Sequence, residues 1–184
     1  MVGLIQHLES YLGTIDVGWS RTADGEDLSF QVVRFGAGAL PGCVVFSTLG
    51  LSSVALPSRE SGKLVRHEFV MIVPERLQDG PVPGLLQQVG LEVMEAGSPL
   101  LRGDVVGPRG PLFAMSSMEA LYASVPVYLP DDFAQVDDVV FVWLVPVSQA
   151  EANFVAANGW SAFEDRLVEA GPDLIDVDRL SIVS

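Results

Sequence analysis

The longest uninterrupted apolar run of the chain is Val-Val-Phe-Val-Trp-Leu-Val-Pro-Val, at residues 139–147. β-Branched and aromatic residues dominate this run, which favours a strand over a helix. Both alternating sets of side chains are apolar, as in a central strand that is covered by helices on both faces of its sheet. The run is also well short of the roughly 18 residues that a membrane-spanning helix requires. It therefore predicts a buried central strand at 138–147 and a protein outside the membrane.

Apolar periodicity predicts the other elements around this strand. Ser148 and Glu151 have the spacing of a capping box, which starts a helix at 149, and Gly97, Gly159 and Gly171 are typical helix ends. Helices are predicted at 2–13, 85–96, 149–158 and 161–170, and further strands at 28–35, 43–48, 65–73 and 121–129. This order indicates a single α+β domain, a mixed β-sheet flanked by helices in an α/β/α-type sandwich. Residues 1–27 are its N-terminal helix and lead-in, and residues 28–184 its main part.

The net charge of −14 limits the possible partners, because 24 acidic residues stand against ten basic ones. Such a surface repels nucleic acid and anionic membranes, so neither is expected as a partner. Eleven of the acidic residues follow Pro130, where Arg166 and Arg179 are the only bases. An acidic C-terminal third either keeps the protein in solution or steers a basic protein partner into contact. Composition leaves both meanings open.

Cysteine usage and the N-terminus predict the compartment. The chain has one cysteine, Cys43, and therefore no internal disulfide, which fits a reducing environment. The first fifteen residues lack the basic start and cleavage site of a secretory signal. We expect a cytoplasmic protein.

Catalytic patterns are weak throughout the sequence. The glycine-rich run 36–42 is followed by a strand, whereas a nucleotide loop leads into a helix, and the chain has one lysine, Lys63, outside any P-loop pattern. His7 is predicted on a surface helix and His67 at the start of a strand, and neither lies near Cys43 in sequence. No catalytic, cofactor or metal site is therefore expected.

Two carboxylate pairs are what the sequence leaves as candidates for a metal site. Asp131-Asp132 and Asp137-Asp138 flank the entrance to the central strand, where solvated turns are the commoner explanation. Separately, two opposed carboxylates from any of the 24 acidic residues could act as general acid and base, as in a small hydrolase, and the sequence singles out no pair for this role. In a binding protein the same four aspartates would be exposed contacts for a basic partner.

The least regular stretch of the sequence is residues 97–111, which contain four glycines and three prolines. These residues predict a loop. Arg102, Asp104 and Arg109 in this loop either satisfy its irregular backbone or contact a partner, because binding residues concentrate on loops held by a rigid scaffold.

Several short motifs, taken in order, resemble the bacterial single-domain branch of the suppressor of fused family. The similarity runs from about Leu28 to the C-terminus. Its motifs are Val-Val-Phe-Ser-Thr-Leu-Gly-Leu-Ser at 44–52, Leu-Arg-Gly-Asp-Val-Val-Gly-Pro at 101–108, Phe-Val-Trp-Leu-Val-Pro-Val at 141–147, Glu-Ala at 151–152, Asn-Gly-Trp at 158–160 and Phe-Glu at 163–164.

The resemblance implies protein binding rather than catalysis. Animal members of the family hold a transcription factor through a peptide added as a strand between two domains, and a clamp of this kind is not expected within a chain that ends at Ser184. Bacterial members are regarded as immunity proteins that neutralise a toxin made by the same cell. The resemblance carries one binding residue over to this chain, Asp104, and Arg102 and Arg109 are added from their place in the same loop. The expected partner is a toxin domain or, in the alternative of a regulatory adaptor, a peptide segment.

Overall fold

A computed structural model describes residues 3–36 and 40–183. The helices are α1 (Leu4–Leu12), α2 (Val82–Ala96), α3 (Gln149–Asn158) and α4 (Trp160–Ala170). The strands are β1 (Ile15–Arg21), β2 (Asp27–Phe35), β3 (Cys43–Leu49), β4 (Leu56–Pro57), β5 (Leu64–Pro74), β6 (Val105–Val106), β7 (Met118–Ser124), β8 (Gln135–Val136) and β9 (Val139–Ser148). No helix within these two ranges is long and apolar enough to cross a membrane.

The strands form one mixed sheet in the order β1-β2-β3-β5-β9-β7-β6. The β5–β9 pair is parallel and the other pairs are antiparallel. The predicted central strand is confirmed, because β9 lies between β5 and β7 and is buried over Phe141–Ser148. The short strands β4 and β8 pair with the first residues of β5 and β9, respectively.

Apolar clusters on the two faces of the sheet complete a three-layer sandwich. On one face α2 contributes Leu86 and Val89 to a cluster with Phe46, Phe69 and Met71. On the other face α1, α3 and α4 cover a second cluster, which includes Leu8, Val155, Phe163, Ile72 and Trp143. The α+β sandwich expected from the sequence is therefore confirmed.

The capping box predicted at Ser148 and Glu151 is present, and Glu151 has a second role. Glu151 is buried and also binds Arg179, with distances of 2.6 and 2.9 Å from the two guanidinium Nη atoms to its carboxylate. The backbone N–H of Ile182 donates to the same carboxylate. The C-terminal segment after α4 is thereby fastened to the start of α3.

Several elements differ from the predictions, and the short strands β4, β6 and β8 were not predicted. Helix α2 starts at Val82 instead of 85, because Pro83 lies in the first helical turn, where its missing N–H leaves no hydrogen bond unmade. Strand β7 covers 118–124 instead of 121–129, and residues 125–129 turn away from the sheet. Strand β1, placed in the lead-in from sequence, is an edge strand of the same sheet. Residues 37–39 of the glycine-rich run and Val2 of the predicted first helix lie outside the described residues.

Candidate functional site

The loop predicted at residues 97–111 lies between α2 and β7 and contributes the edge strand of the sheet. Its middle residues, Val105 and Val106, are the strand β6, which pairs with β7. The N–H of Gly103 donates to the carbonyl of Ala123, and the N–H of Ala123 donates to the carbonyl of Asp104, both at 2.8 Å. Farther along, the N–H of Arg109 donates to the carbonyl of Glu119. The loop therefore follows β7 closely, and its outer edge is the edge of the sheet.

Asp104 closes a tight turn within this loop. Its Oδ2 accepts a hydrogen bond from the N–H of Leu101 at 2.7 Å, and its own N–H donates to the carbonyl of Leu101 at 3.0 Å. The residue is nevertheless exposed. Asp104 is thus a structural residue of the turn that still presents its carboxylate at the surface, and its predicted contact with a partner stays a prediction.

Arg102 fastens the loop to α4. Its guanidinium makes a two-pronged contact with Glu164, with Nε at 2.9 Å from Oε1, and stacks on the indole of Trp160 with Cζ at 4.9 Å from the ring centre. Tyr122 donates its hydroxyl to the same carboxylate at 3.0 Å. Glu164 raises the pKa of Arg102, while burial and then the bond to Glu164 raise the pKa of Tyr122.

Gly103 lies against Trp160 so closely that no larger residue fits. A Cβ built at this glycine would be 2.5 Å from Cγ of Trp160, and its φ of +97° is a conformation that favours glycine. The close approach brings the loop backbone onto the first turn of α4. Loop and helix therefore form one continuous surface.

Arg109 points in a different direction from Arg102. It forms an ion pair with Glu92 of α2, with Nη1 at 2.6 Å from Oε1, and this pairing lowers the pKa of Glu92. Because α2 and α4 cover opposite faces of the sheet, the two arginines fasten the loop from both sides. The structure places both in one loop but does not bring their guanidinium groups together.

The four predicted aspartates lie in two turns next to the loop. Asp131 and Asp132 begin a short 3-10 turn, and Asp137 and Asp138 form the tip of the β8–β9 hairpin. All four are exposed, and Asp138 pairs with Arg66 at 3.2 Å. A cavity of about 340 Å³ separates the loop residues Leu101 and Arg102 from residues 134–135 of the segment between these turns. The aspartates are therefore solvated and close to the loop.

The two histidines both support packing. His7 lies on α1, which has an exposed face as predicted, but the His7 ring lies on the buried side of the helix, against Phe141 and Phe133, with Nε2 at 3.1 Å from the carbonyl of Phe133. His67 is also buried, and its Nε2 accepts the N–H of Leu100 at 3.3 Å. Within 3–36 and 40–183, no group of three or more His, Cys, Asp or Glu side chains could hold a metal ion.

Sequence reasoning missed two contributors to this region. Trp160 and Glu164, which hold the loop, carried no assigned role, although both belong to the motifs that the family resemblance singles out.

The motif at 44–52 surrounds buried Glu68. The carboxylate of Glu68 accepts hydrogen bonds from the hydroxyls of Thr48 and Ser52 and from the N–H groups of Gly50 and Ser52.

The chain is a single α+β domain. Arg102 and Arg109 hold the loop at the edge of its sheet to the helices on the two faces. The family model for the suppressor of fused protein matches residues 26–180. The chain belongs to the suppressor of fused family, as the resemblance implied. No curated protein sequence is significantly similar to it.

Three solved structures show the same fold. A suppressor of fused homolog from Neisseria gonorrhoeae has a TM-score of 0.78 and 24% identity, over 97% of this chain and 93% of its own. The Sufu–Fu complex gives a TM-score of 0.61 and 17% identity, over 83% and 77% of the two chains. Drosophila Suppressor of Fused gives a TM-score of 0.58 and 18% identity, over 83% of this chain and 42% of that one.

Proposed function

We propose that this chain is a non-catalytic, cytoplasmic protein of immunity type that neutralises a cognate toxin by direct binding. The observation that supports it most is the loop that ends the sheet, with its exposed Asp104 and the short edge strand β6. Arg102–Glu164 and Arg109–Glu92 hold this loop on opposite faces of the sheet. A loop already ordered before binding loses less conformational entropy when a partner docks. The Sufu–Fu complex is an example of a family member that binds a protein.

The charge distribution favours a basic partner. Eight of the ten basic side chains are engaged in ion pairs with carboxylates of this chain. Most of the remaining carboxylates are exposed, among them Asp131, Asp132 and Asp137 beside the loop. A toxin with a basic substrate groove, such as a nuclease, would be steered toward this region and would associate faster at low ionic strength.

The test has two stages. The tagged protein is used to capture partners from its native host at low and moderate salt, and the captured toxin domain is then expressed alone and together with this chain in a sensitive bacterium. We expect one stoichiometric partner whose toxicity the chain suppresses. A captured partner that is harmless, or a toxin that stays toxic on co-expression, would contradict the immunity role.

Matched variants locate the interface in the same assay. Asp104→Asn keeps the acceptor for the Leu101 N–H but removes the charge, so weaker binding with an unchanged fold would assign the carboxylate to recognition. Asparagine at positions 131, 132, 137 and 138 should lower the association rate and flatten its salt dependence. Neutralising the exposed acids Asp24, Glu26, Glu75 and Glu95 removes the same number of charges elsewhere and is the control.

A regulatory adaptor that captures a peptide is the second candidate. The open edge of β6 supports it, because a peptide can add to a sheet edge as a further strand. An adaptor would capture several unrelated proteins that share a short segment. An immunity protein would capture one partner, and this difference separates the two candidates.

A further inference from the structure

An open groove runs along α4 on the face of the sheet opposite α2. Its walls are Val127 and Tyr128 on one side and Leu167, Val168, Pro172 and Leu174 on the other, and it encloses about 310 Å³. Arg102 and Glu164 lie at its end. We call it the α4 groove. Val127 is 62% exposed and Val168 85% exposed, so both rims present large apolar side chains to water.

The α4 groove is formed before any partner arrives. The N–H of Leu174 donates to the Tyr128 hydroxyl at 3.1 Å and joins the two walls directly. The ring of Tyr128 packs on buried Trp143, with ring centres 5.1 Å apart. At the end of the groove, the contacts of Arg102 and Tyr122 with Glu164 hold α4 in place. A partner can therefore bury apolar surface here without first ordering the walls.

The surroundings of the groove are acidic. The segment of Val127 and Tyr128 continues into Asp131 and Asp132, and the opposite wall carries Glu164, Asp165, Glu169 and Asp173. The cations nearby are Arg102 and Arg166, and each is paired with one of these acids, Glu164 and Glu169 respectively. The six acids outnumber the two arginines, so these segments carry a net negative charge, which disfavours nucleic acid and anionic lipid.

We infer that the α4 groove docks a segment of the protein partner in which an apolar side chain enters the groove between flanking Lys or Arg residues. The volume is at the lower end of the roughly 300–1,000 Å³ of small-molecule pockets and suits one or two side chains. The apolar rims supply contact area and the acidic surroundings select cationic flanks. The groove is continuous with the loop through Arg102 and the contact of Gly103 with Trp160. This inference rests on the proposed protein-binding function and adds the chemistry of the partner.

A random peptide library displayed on phage tests the inference without knowledge of the partner. The library is panned on the intact chain, and enriched peptides are synthesised and titrated against wild type, Val127→Lys, Val168→Lys and the control Leu64→Lys. Leu64 is 70% exposed and lies outside the groove, so the control adds the same charge to a similarly exposed apolar position. We expect enriched peptides to combine an apolar residue with Lys or Arg and to lose about tenfold in affinity with either groove variant but not with the control.

Two results would overturn the inference. One is enrichment of acidic or uncharged peptides. The other is enrichment of basic peptides that bind both groove variants as tightly as wild type. If such peptides instead bind Asp104→Asn more weakly than wild type, their binding site is the loop. The proposed function then stands without the groove. If neither loop nor groove variants alter capture and neutralisation of the toxin, the proposed interface fails as well.

Discussion

The Nε2 atom of His67 accepts a hydrogen bond from the backbone N–H of Leu100 at 3.3 Å, which joins a buried strand to the loop at the sheet edge. Accepting at Nε2 places the proton of the neutral ring on Nδ1. The side chain is completely buried and packs on Phe69. Protonation would replace the acceptor by a second donor and would disrupt the attachment of the loop.

The first prediction is therefore a loss of stability in acid that depends on His67. Burial lowers the pKa of His67 from 6.5 to about 4. Between these values the unfolded chain binds a proton that the folded chain excludes, so the free energy of unfolding falls as the pH is lowered from 6.5 to 4. The full difference is roughly 3 kcal/mol. Urea unfolding at a series of pH values measures it.

The control for this prediction is His67→Gln. Glutamine keeps an acceptor for the Leu100 N–H but does not titrate. The variant should lose the part of the pH dependence between 4 and 6.5. Identical pH profiles for the variant and wild type would contradict the role assigned to His67.

Local sequence patterns were sufficient to predict some elements of the fold but not others. Strand β9 was predictable because a strand that is apolar on both faces needs cover on both sides, and α3 because its capping box is local. The burial of His7 was also within reach, since it lies three residues after Leu4 and four before Tyr11 on the apolar stripe of α1. Edge strand β1 was missed although Ile15, Val17 and Trp19 alternate with exposed positions, since Gly18 lowers the strand propensity of this short segment.

Contacts over long sequence separations were outside the reach of such patterns. Arg102 and Glu164 are 62 residues apart, and His67 and Leu100 are 33 apart. Nothing in the local spacing of either residue indicates its partner, because the pairing is created by the order of strands in the sheet. The family resemblance marked Glu164 as part of a motif without giving it a role.

A second prediction concerns Glu68, a buried carboxylate that accepts four hydrogen bonds from Thr48, Gly50 and Ser52. In Glu68→Gln one carboxylate oxygen becomes an NH₂ group that faces donors. We expect a loss of about 3 kcal/mol in the free energy of unfolding, since buried donors are left unsatisfied. Glu60→Gln removes a charge from an exposed position and should change stability little. Equal effects of the two substitutions would show that the four hydrogen bonds contribute nothing.

The third prediction separates crowding from backbone strain at Gly103. Gly103→Ala introduces both a positive φ for alanine and a clash with Trp160, whereas Gly110→Ala introduces only the positive φ of +83°, because nothing lies within 4 Å of its Cβ. We expect Gly110→Ala to cost about 1 kcal/mol and Gly103→Ala clearly more. Thermal unfolding of both variants gives the comparison. Combination of Gly103→Ala with Trp160→Gly, which also removes the Trp160 Cβ at 2.6 Å, should recover the excess, and additive losses would contradict the contact between the two residues.

The last prediction compares a buried ion pair with an exposed one. Arg179 and Glu151 are almost completely buried, and Glu151 also accepts the N–H groups of Ser148 and Ile182. Arg179→Ala leaves an uncompensated carboxylate in the core and should lower the free energy of unfolding by about 3–5 kcal/mol. The exposed pair Arg166–Glu169 is solvated, so Arg166→Ala should cost less than about 1 kcal/mol. Urea unfolding of both variants checks the contrast, and hydrogen exchange of residues 174–183 adds a local readout.

Because Arg179 fastens the C-terminal segment to α3, the amides of residues 174–183 should exchange faster in Arg179→Ala. Unchanged exchange together with a small loss of stability would mean that the apolar contacts of Ile175 and Val177 hold the segment without the ion pair.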